Sequence, residues 1–103
     1  MLHHTVLIRW KPETTPEVQC ALAGRLLALQ GVVPEIRAIH TGANRDPDGR
    51  TDWPFVLLVI VDDLDALQRY IDHPAHQAVA RELAAAREAR MAVDVTVRSS
   101  STP

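Results

Sequence analysis

Hydrophobic and polar side chains alternate at the start of the chain, in residues 3–10 (HHTVLIRW). One face of this segment consists of His4, Val6, Ile8 and Trp10. Because the side chains of a strand point to its two faces in turn, this period of two predicts a first strand with one face towards a core.

Two later stretches have the spacing of helices. The apolar stripe of the first consists of Val18, Leu22, Leu26 and Leu29. Thr15 can cap this helix, Pro16 suits its first position, and Gly31 can end it.

The second helical stretch is interrupted by a proline. Its first apolar face consists of Leu64, Leu67, Tyr70 and Ile71, and Asp62 or Asp63 can cap it. Proline is unfavourable inside a helix but suits its first position. The spacing therefore predicts that one helix ends at His73 and that another begins at Pro74, with His73 as its N-cap, and continues to about residue 89.

Three further segments predict strands, namely residues 35–43, 55–61 and 91–98. Alternation in the first of them is imperfect, as an edge strand allows. The second (FVLLVIV) is apolar at every position, which predicts a central strand that is buried on both faces. The polar segment 44–54 contains Pro and Gly and predicts a hairpin connection between these two strands.

The order strand, helix, strand, strand, helix, strand predicts an α+β fold, a ferredoxin-like βαββαβ subunit with both helices on one face of an antiparallel sheet. Residues 1–98 form this single domain, and residues 99–103 are expected to be a disordered tail. The other sheet face would expose a row of Met and Val side chains, a larger apolar patch than soluble monomers tolerate. We therefore expect a homodimer in which two such faces pack together.

Composition narrows the range of functions. The 103 residues, 47% hydrophobic, suffice for one core. A formal net charge of −2 without a basic cluster argues against nucleic-acid binding. No apolar run is long enough to span a membrane, and no signal sequence is apparent, so a cytoplasmic protein is expected. A single cysteine allows no internal disulfide and argues against a thiolate metal site.

Most of the candidate chemistry lies in residues 67–79 (LQRYIDHPAHQAV). His76 falls in a first helical turn, where unpaired N–H groups and the helix dipole disfavour an imidazolium. A neutral imidazole can accept a proton near pH 7. The alternative is a histidine that only packs at a helix start, and the spacing alone favours that alternative. His73 and His76 imply no third ligand, so no metal site is expected.

Five motifs together carry a resemblance: HHTVLIRWKP at the start, PEIR at 34–37, the apolar strand 55–61, YIDHPAHQAV at 70–79 and VDVTV at 93–97. With them the chain resembles the Dabb family, the stress-responsive dimeric α/β barrel proteins, over nearly its whole length. The resemblance implies a homodimer whose ferredoxin-like subunits form a central barrel.

Within that family, the chain is similar to polyketide cyclases of the olivetolic acid cyclase type, which close a linear polyketide by aldol condensation without a cofactor. This similarity implies that His76 and Tyr70 are catalytic. His4 and Asp94 match the opening His and the last-strand Asp of the same pattern. The large aromatic side chains that wall the cyclase pocket are replaced here by Ala23, Leu26 and Arg87.

The constellation suits an aldol closure, which needs a base and a donor to an enolate oxygen. We expect His76 to be the base, Tyr70 the donor and Asp94 the acceptor that fixes the His76 tautomer. The alternative is that these three groups only satisfy one another between helix and sheet. A substrate pocket is expected between the helices and the sheet, lined by His4, Val6, His73, Tyr70 and His76 and shaped by Ala23 and Leu26.

Two classes of function remain open. The first is a cofactor-independent lyase or cyclase acting on a small, enolisable, polyketide-like substrate. The second is a non-catalytic, stress-responsive homodimer that binds a small apolar ligand. In both cases the expected partners are a second copy of the chain and a small molecule, with neither nucleic acid nor membrane involved.

Overall fold

The computed structural model describes residues 1–49 and 51–98, and the tail predicted over 99–103 lies outside the described residues. The described chain forms, in order, β1 (Leu2–Trp10), α1 (Pro16–Leu27), β2 (Ala38–Ala43), β3 (Phe55–Val61), α2 (Leu64–Asp72), α3 (Pro74–Ala86) and β4 (Arg87–Thr96).

The four strands form one antiparallel sheet in the order β2-β3-β1-β4. As predicted, β2 is an edge strand and the apolar strand β3 is an interior one. The predicted α+β, ferredoxin-like subunit is therefore confirmed. Because β1 lies between β3 and β4, the first and last strands of the chain are neighbours, and their side chains meet on both faces of the sheet.

Each helix begins where the sequence predicts. The Thr15 hydroxyl accepts a hydrogen bond from the Val18 N–H at the start of α1, and Asp63 caps α2. At the start of α3, the ring Nδ1 of His73 accepts a hydrogen bond from the Ala75 N–H at 3.0 Å. Such caps satisfy N–H groups that have no partner within the helix.

Other boundaries were predicted wrongly. α1 ends at Leu27 rather than at Gly31, and β2 begins at Ala38 rather than at residue 35. The larger error concerns residues 87–89, which the sequence places at the end of a helix but which belong to β4.

The early start of β4 has a non-local cause. The Ala86 carbonyl at the end of α3 accepts hydrogen bonds from the Lys11 N–H at 3.0 Å and from the Thr14 hydroxyl at 2.7 Å. Pairing of β4 then continues along β1 as far as Trp10, which lies opposite Arg87. These contacts outweigh the helix propensity of the Ala-rich segment.

The core lies between the helices and one face of the sheet. Its most deeply buried large side chains are Tyr70, Ile8, Leu26, Val33, Val59 and Val61. On β1, the predicted inward positions His4, Val6 and Ile8 are buried. The predicted stripe of α1 is only partly confirmed, since Leu22 and Leu26 are buried while Val18 is 45% exposed.

The other sheet face is open in the single subunit. On β3, alternate residues are only half-buried, so the prediction of burial on both faces does not hold within one subunit. On the same side of the sheet, beyond β1, lie Met91, Val93, Val95 and Val97, which are 39 to 47% exposed. We name the open side of β1, β3 and β4 the open sheet face.

Among the described residues, no helix is both long and apolar enough to cross a membrane.

Candidate functional site

A cavity of about 250 Å³ lies on the helix-covered side of the sheet. Its polar lining consists of His4, Tyr70, His76, Arg87 and Arg90. Its apolar lining includes Val6, Ile8, Leu26, Leu57 and Leu83. Candidate sites of this kind are apolar hollows in which a few polar groups converge.

Tyr70 comes from the buried face of α2 and is fully enclosed, with 0% of its surface exposed. Its hydroxyl has no hydrogen-bond partner among the described residues, which is unusual for a buried polar atom. Burial raises the pKa of Tyr70 to about 12, and the charge of Arg90 acts weakly in the opposite direction. The phenol therefore keeps its proton at neutral pH and can donate it to a hydrogen bond.

His76 lies in the first turn of α3, with its ring 4.5 Å from that of Tyr70 between centroids. Its Nδ1 is 2.9 Å from the Ile71 carbonyl oxygen. A carbonyl can only accept, so Nδ1 carries the hydrogen, and Nε2 of the neutral ring is left with a free lone pair. The Nε2 atom is thus available as a proton acceptor.

Burial lowers the pKa of His76 below its ordinary value, and the positive charges of His4, Arg90 and His73 lower it further. The bond to the Ile71 carbonyl opposes this shift. The sequence also predicts a neutral His76 ring at pH 7, from its position in the first turn of a helix. In the structure, the main cause of the lowered pKa is burial of the ring.

His4 is 4% exposed on β1, and its Nδ1 is hydrogen-bonded to Oδ1 of Asp94. The two residues are directly paired in the register of β1 and β4, so their side chains lie on the same face of the sheet. The predicted contact between Asp94 and His76 is therefore wrong. Asp94 lies opposite His4, and the Nδ1 atom of His76 is already bonded to Ile71.

These side chains form a continuous polar row, Asp94, His4, Tyr70 and His76. The ring of His4 meets that of Tyr70 edge-on, with 6.1 Å between their centroids. One end of the polar row lies at the rim of the sheet, where the Asp94 side chain is 38% exposed. The other end is His76, on the opposite wall of the cavity.

Two of the predicted pocket residues lie elsewhere. His73 does not line the cavity, because its ring is bonded to the start of α3 as the N-cap. Ala23 packs against the core beside a separate surface hollow that includes Trp10 and Phe55. Leu26, His4 and Val6 line the cavity as expected.

The predicted pocket lining did not include Arg90, and Arg87 was named only as the replacement of an aromatic side chain that walls the cyclase pocket. The sequence contains a signal for Arg90, since this residue, Ala92 and Asp94 follow the period of two that was used for the last strand. The predicted strand began one residue too late to include Arg90.

Chemically, the cavity combines a neutral imidazole, whose Nε2 can accept a proton, with a protonated phenol that no described residue engages in a hydrogen bond. Such a pair can take a proton from carbon and donate to the oxygen of the resulting enolate. Within residues 1–49 and 51–98, no group of three or more His, Cys, Asp or Glu side chains is placed to hold a metal ion.

Comparison with known proteins finds several that are similar to this chain. An uncharacterised protein of Streptomyces coelicolor is 35% identical over 80 residues, covering 76% of this chain and 81% of that protein. A dimeric protein of unknown function with a ferredoxin-like fold from Bacteroides fragilis is 30% identical with a TM-score of 0.76, covering 93% of this chain and 95% of that one.

A third similar protein is the hydroxynitrile lyase of Passiflora edulis, which has a TM-score of 0.86 at 16% identity and covers 98% of this chain and 96% of that one. At this identity the likeness concerns the fold alone. The family model for the Stress responsive A/B Barrel Domain, Dabb, matches residues 2–97. Its match spans every strand and helix described above, and the chain therefore belongs to the Dabb family.

Proposed function

We propose that this protein is a cofactor-independent lyase or cyclase that acts on a small, enolisable, polyketide-like substrate with His76 as general base. The main support is the Tyr70 hydroxyl, which is buried in the cavity that His76 also lines and has no hydrogen-bond partner among the described residues. A buried polar group without a hydrogen bond costs about 1 to 3 kcal/mol. A ligand oxygen that accepts a hydrogen bond from the Tyr70 hydroxyl would remove this cost.

In the proposed reaction, Nε2 of His76 takes a proton from the carbon next to a substrate carbonyl. The electron pair of the broken C–H bond moves into the enolate, whose oxygen accepts a hydrogen bond from Tyr70. For ring closure, the enolate carbon attacks a second carbonyl carbon of the same substrate. The oxygen of that carbonyl receives the proton back from the His76 imidazolium, so no proton is gained or lost overall.

His4 and Asp94 act in this proposal as positioning residues. The Asp94 carboxylate is hydrogen-bonded to the His4 ring, and the rings of His4 and Tyr70 meet edge-on. This arrangement limits the directions in which the phenol can point. The proposal thus keeps the catalytic roles of His76 and Tyr70 and assigns Asp94 to His4.

The proposed enzyme is a homodimer that forms through the open sheet face. Exposed Met91, Val93 and Val95 support this assembly, as does the dimeric description of the Bacteroides fragilis relative. The cavity lies on the opposite side of the sheet, so pairing through the open face leaves it accessible. A cytoplasmic location is part of the proposal and rests on the sequence alone.

A second candidate is the non-catalytic, stress-responsive homodimer that binds a small apolar ligand. The apolar lining of the cavity favours it, because Val6, Ile8, Leu57 and Leu83 would hold such a ligand without any chemistry. In that case Tyr70 and His76 would only contact the ligand.

Exchange of α-protons separates the two candidates without knowledge of the natural substrate. Acetophenone, a methyl ketone, is incubated with the protein in D₂O, and loss of the methyl signal is followed by NMR. The proposal expects faster exchange than in buffer and a loss of about 10² to 10⁴ in His76→Ala. His73→Asn is the matched control, since asparagine retains the N-cap. Binding of acetophenone without faster exchange would favour the second candidate.

A further inference from the structure

We infer that the substrate carries a carboxylate, which Arg87 and Arg90 hold at the β4 rim of the cavity while its carbonyl end reaches Tyr70 and His76. This inference rests on the proposed function for the identity of the reacting end. It specifies the chemical class of the substrate. The observations behind it concern Arg87 and Arg90, which have no part in the proposed proton transfers.

A β-bulge places both arginines on the cavity side. Residues three apart on a regular strand point to opposite faces. The pairing of β1 with β4 shifts register between Arg9 and Trp10, so Arg87 lies opposite Trp10 and Arg90 lies opposite Ile8. Ile8 is buried beneath the helices, and Trp10 is packed against the core. The bulge thus brings Arg87 to the same face as Arg90.

Glu88, one of the two residues between these arginines, is the position that the register shift leaves without a partner on β1. Glu88 forms an ion pair with Arg9, with 3.1 Å between Oε2 and Nε. Glu88, the acidic residue near the two arginines in the sequence, is therefore paired with Arg9 of β1. Bulges often serve to direct side chains at functional sites.

Neither cavity arginine has a carboxylate partner among the described residues. Other arginines do, since Arg37 pairs with Asp62 at 2.8 Å and Arg69 pairs with Glu35 at 3.2 Å. None of the described residues that line the cavity is acidic. The cavity therefore presents two guanidinium groups whose charge no lining residue balances.

The positions of the arginines relative to the polar row fit a substrate with a carboxylate at one end and a carbonyl at the other. Both lie on β4 where the cavity reaches the sheet edge, Arg87 half-buried and Arg90 exposed. The charge of Arg90 acts on both Tyr70 and His76, which indicates that it is near the reacting groups. Guanidinium groups bind carboxylates through paired N–H donors, with more directional preference than an ammonium group.

Matched probes test this inference. 4-Acetylbenzoate is acetophenone with a carboxylate at the far end of the ring, and 4-acetylphenyl phosphate carries a phosphate there. Dissociation constants are measured by calorimetry on the full chain. We expect 4-acetylbenzoate to bind about tenfold or more tightly than acetophenone, because only the former can accept charge-assisted hydrogen bonds. Tighter binding of the phosphate than of the carboxylate would overturn the assignment to a carboxylate.

Variants of the two cavity arginines test whether these side chains bind the carboxylate. In Arg90→Gln and Arg87→Gln the preference for 4-acetylbenzoate should fall towards equality with acetophenone, while affinity for acetophenone stays near that of the parent. Arg81→Gln, an exposed arginine of α3 outside the cavity, is the matched control and should retain the full preference. Thermal melts of all three variants establish that they are folded.

The binding assay separates this inference from the proposed function. Equal affinity for the two ketones, or a preference that survives in both cavity variants, would overturn the inference even if His76 promotes α-proton exchange. Conversely, a preference that depends on Arg87 and Arg90 would support it even if neither ketone exchanges its protons.

Discussion

His4 and Asp94 lie directly opposite each other on neighbouring strands, and the Asp94 carboxylate is hydrogen-bonded to Nδ1 of the buried His4 ring. This pairing changes the role that the sequence suggests for Asp94. Asp94 is connected to Tyr70 through His4, while the ring of His76 is hydrogen-bonded to the backbone carbonyl of Ile71. The site therefore has two separately anchored imidazoles, one on each side of Tyr70.

The first prediction tests this connectivity. In a double-mutant cycle on the free energy of unfolding, Asp94→Asn and His4→Gln should be coupled by about 0.5 to 3 kcal/mol, because the two side chains share a hydrogen bond. Asp94→Asn and His76→Ala should be additive, since the structure joins them by no direct contact. Chemical denaturation is measured on the parent, the three single variants and the two double variants. Coupling between Asp94 and His76 that exceeds the coupling between Asp94 and His4 would contradict the described geometry.

The second prediction concerns Tyr70→Phe, which removes a single buried hydroxyl. Because that hydroxyl has no partner among the described residues, its removal should leave stability unchanged or raise it by about 1 to 3 kcal/mol. If Tyr70 donates to an enolate oxygen, the same change should slow α-proton exchange by about 10² to 10³. Denaturation and NMR exchange are measured on one preparation. A destabilised variant with unchanged exchange would show that the hydroxyl is structural.

Local pattern was sufficient to predict most of the subunit. The period of two on β1, the unbroken apolar run of β3 and the interruption at Pro74 each depend on neighbouring residues, and each is found where the sequence indicated. The same holds for His76, because its position after the proline places it in a first turn whatever the rest of the chain does.

The missed features depend on contacts between distant residues. The start of β4 at Arg87 follows from pairing with Trp10 and from the bonds that Ala86 accepts, neither of which the helix-favouring sequence around Ala86 reveals. The partner of Asp94 follows from which strand lies beside β4. The ferredoxin-like order already makes β1 that neighbour, but the register that places Asp94 opposite His4 does not follow from the strand order.

The third prediction is a pH profile. His76 accepts a proton only when neutral, and its pKa is lowered from 6.5 by burial and nearby positive charge. The rate of acetophenone exchange above the buffer rate should therefore rise with pH, reach half its maximum below pH 6.5 and then level off. The pKa of about 12 for Tyr70 predicts no decline up to about pH 10. A midpoint above 6.5 would contradict the burial of the base.

The last prediction concerns the homodimer. Val95 is 47% exposed in the single subunit, lies opposite His3 on β1, and belongs to the open sheet face. If a second subunit covers this face, Val95→Asp buries an unpaired carboxylate there, which costs several kcal/mol and should produce monomers or unfolded chains. Ala84→Asp, on the exposed side of α3, is the matched control and should remain dimeric. Sedimentation velocity at micromolar concentration compares both variants with the parent. A parent chain that sediments as a folded monomer would overturn the proposed assembly, because the exposed row of Met91, Val93 and Val95 would then be stable in water.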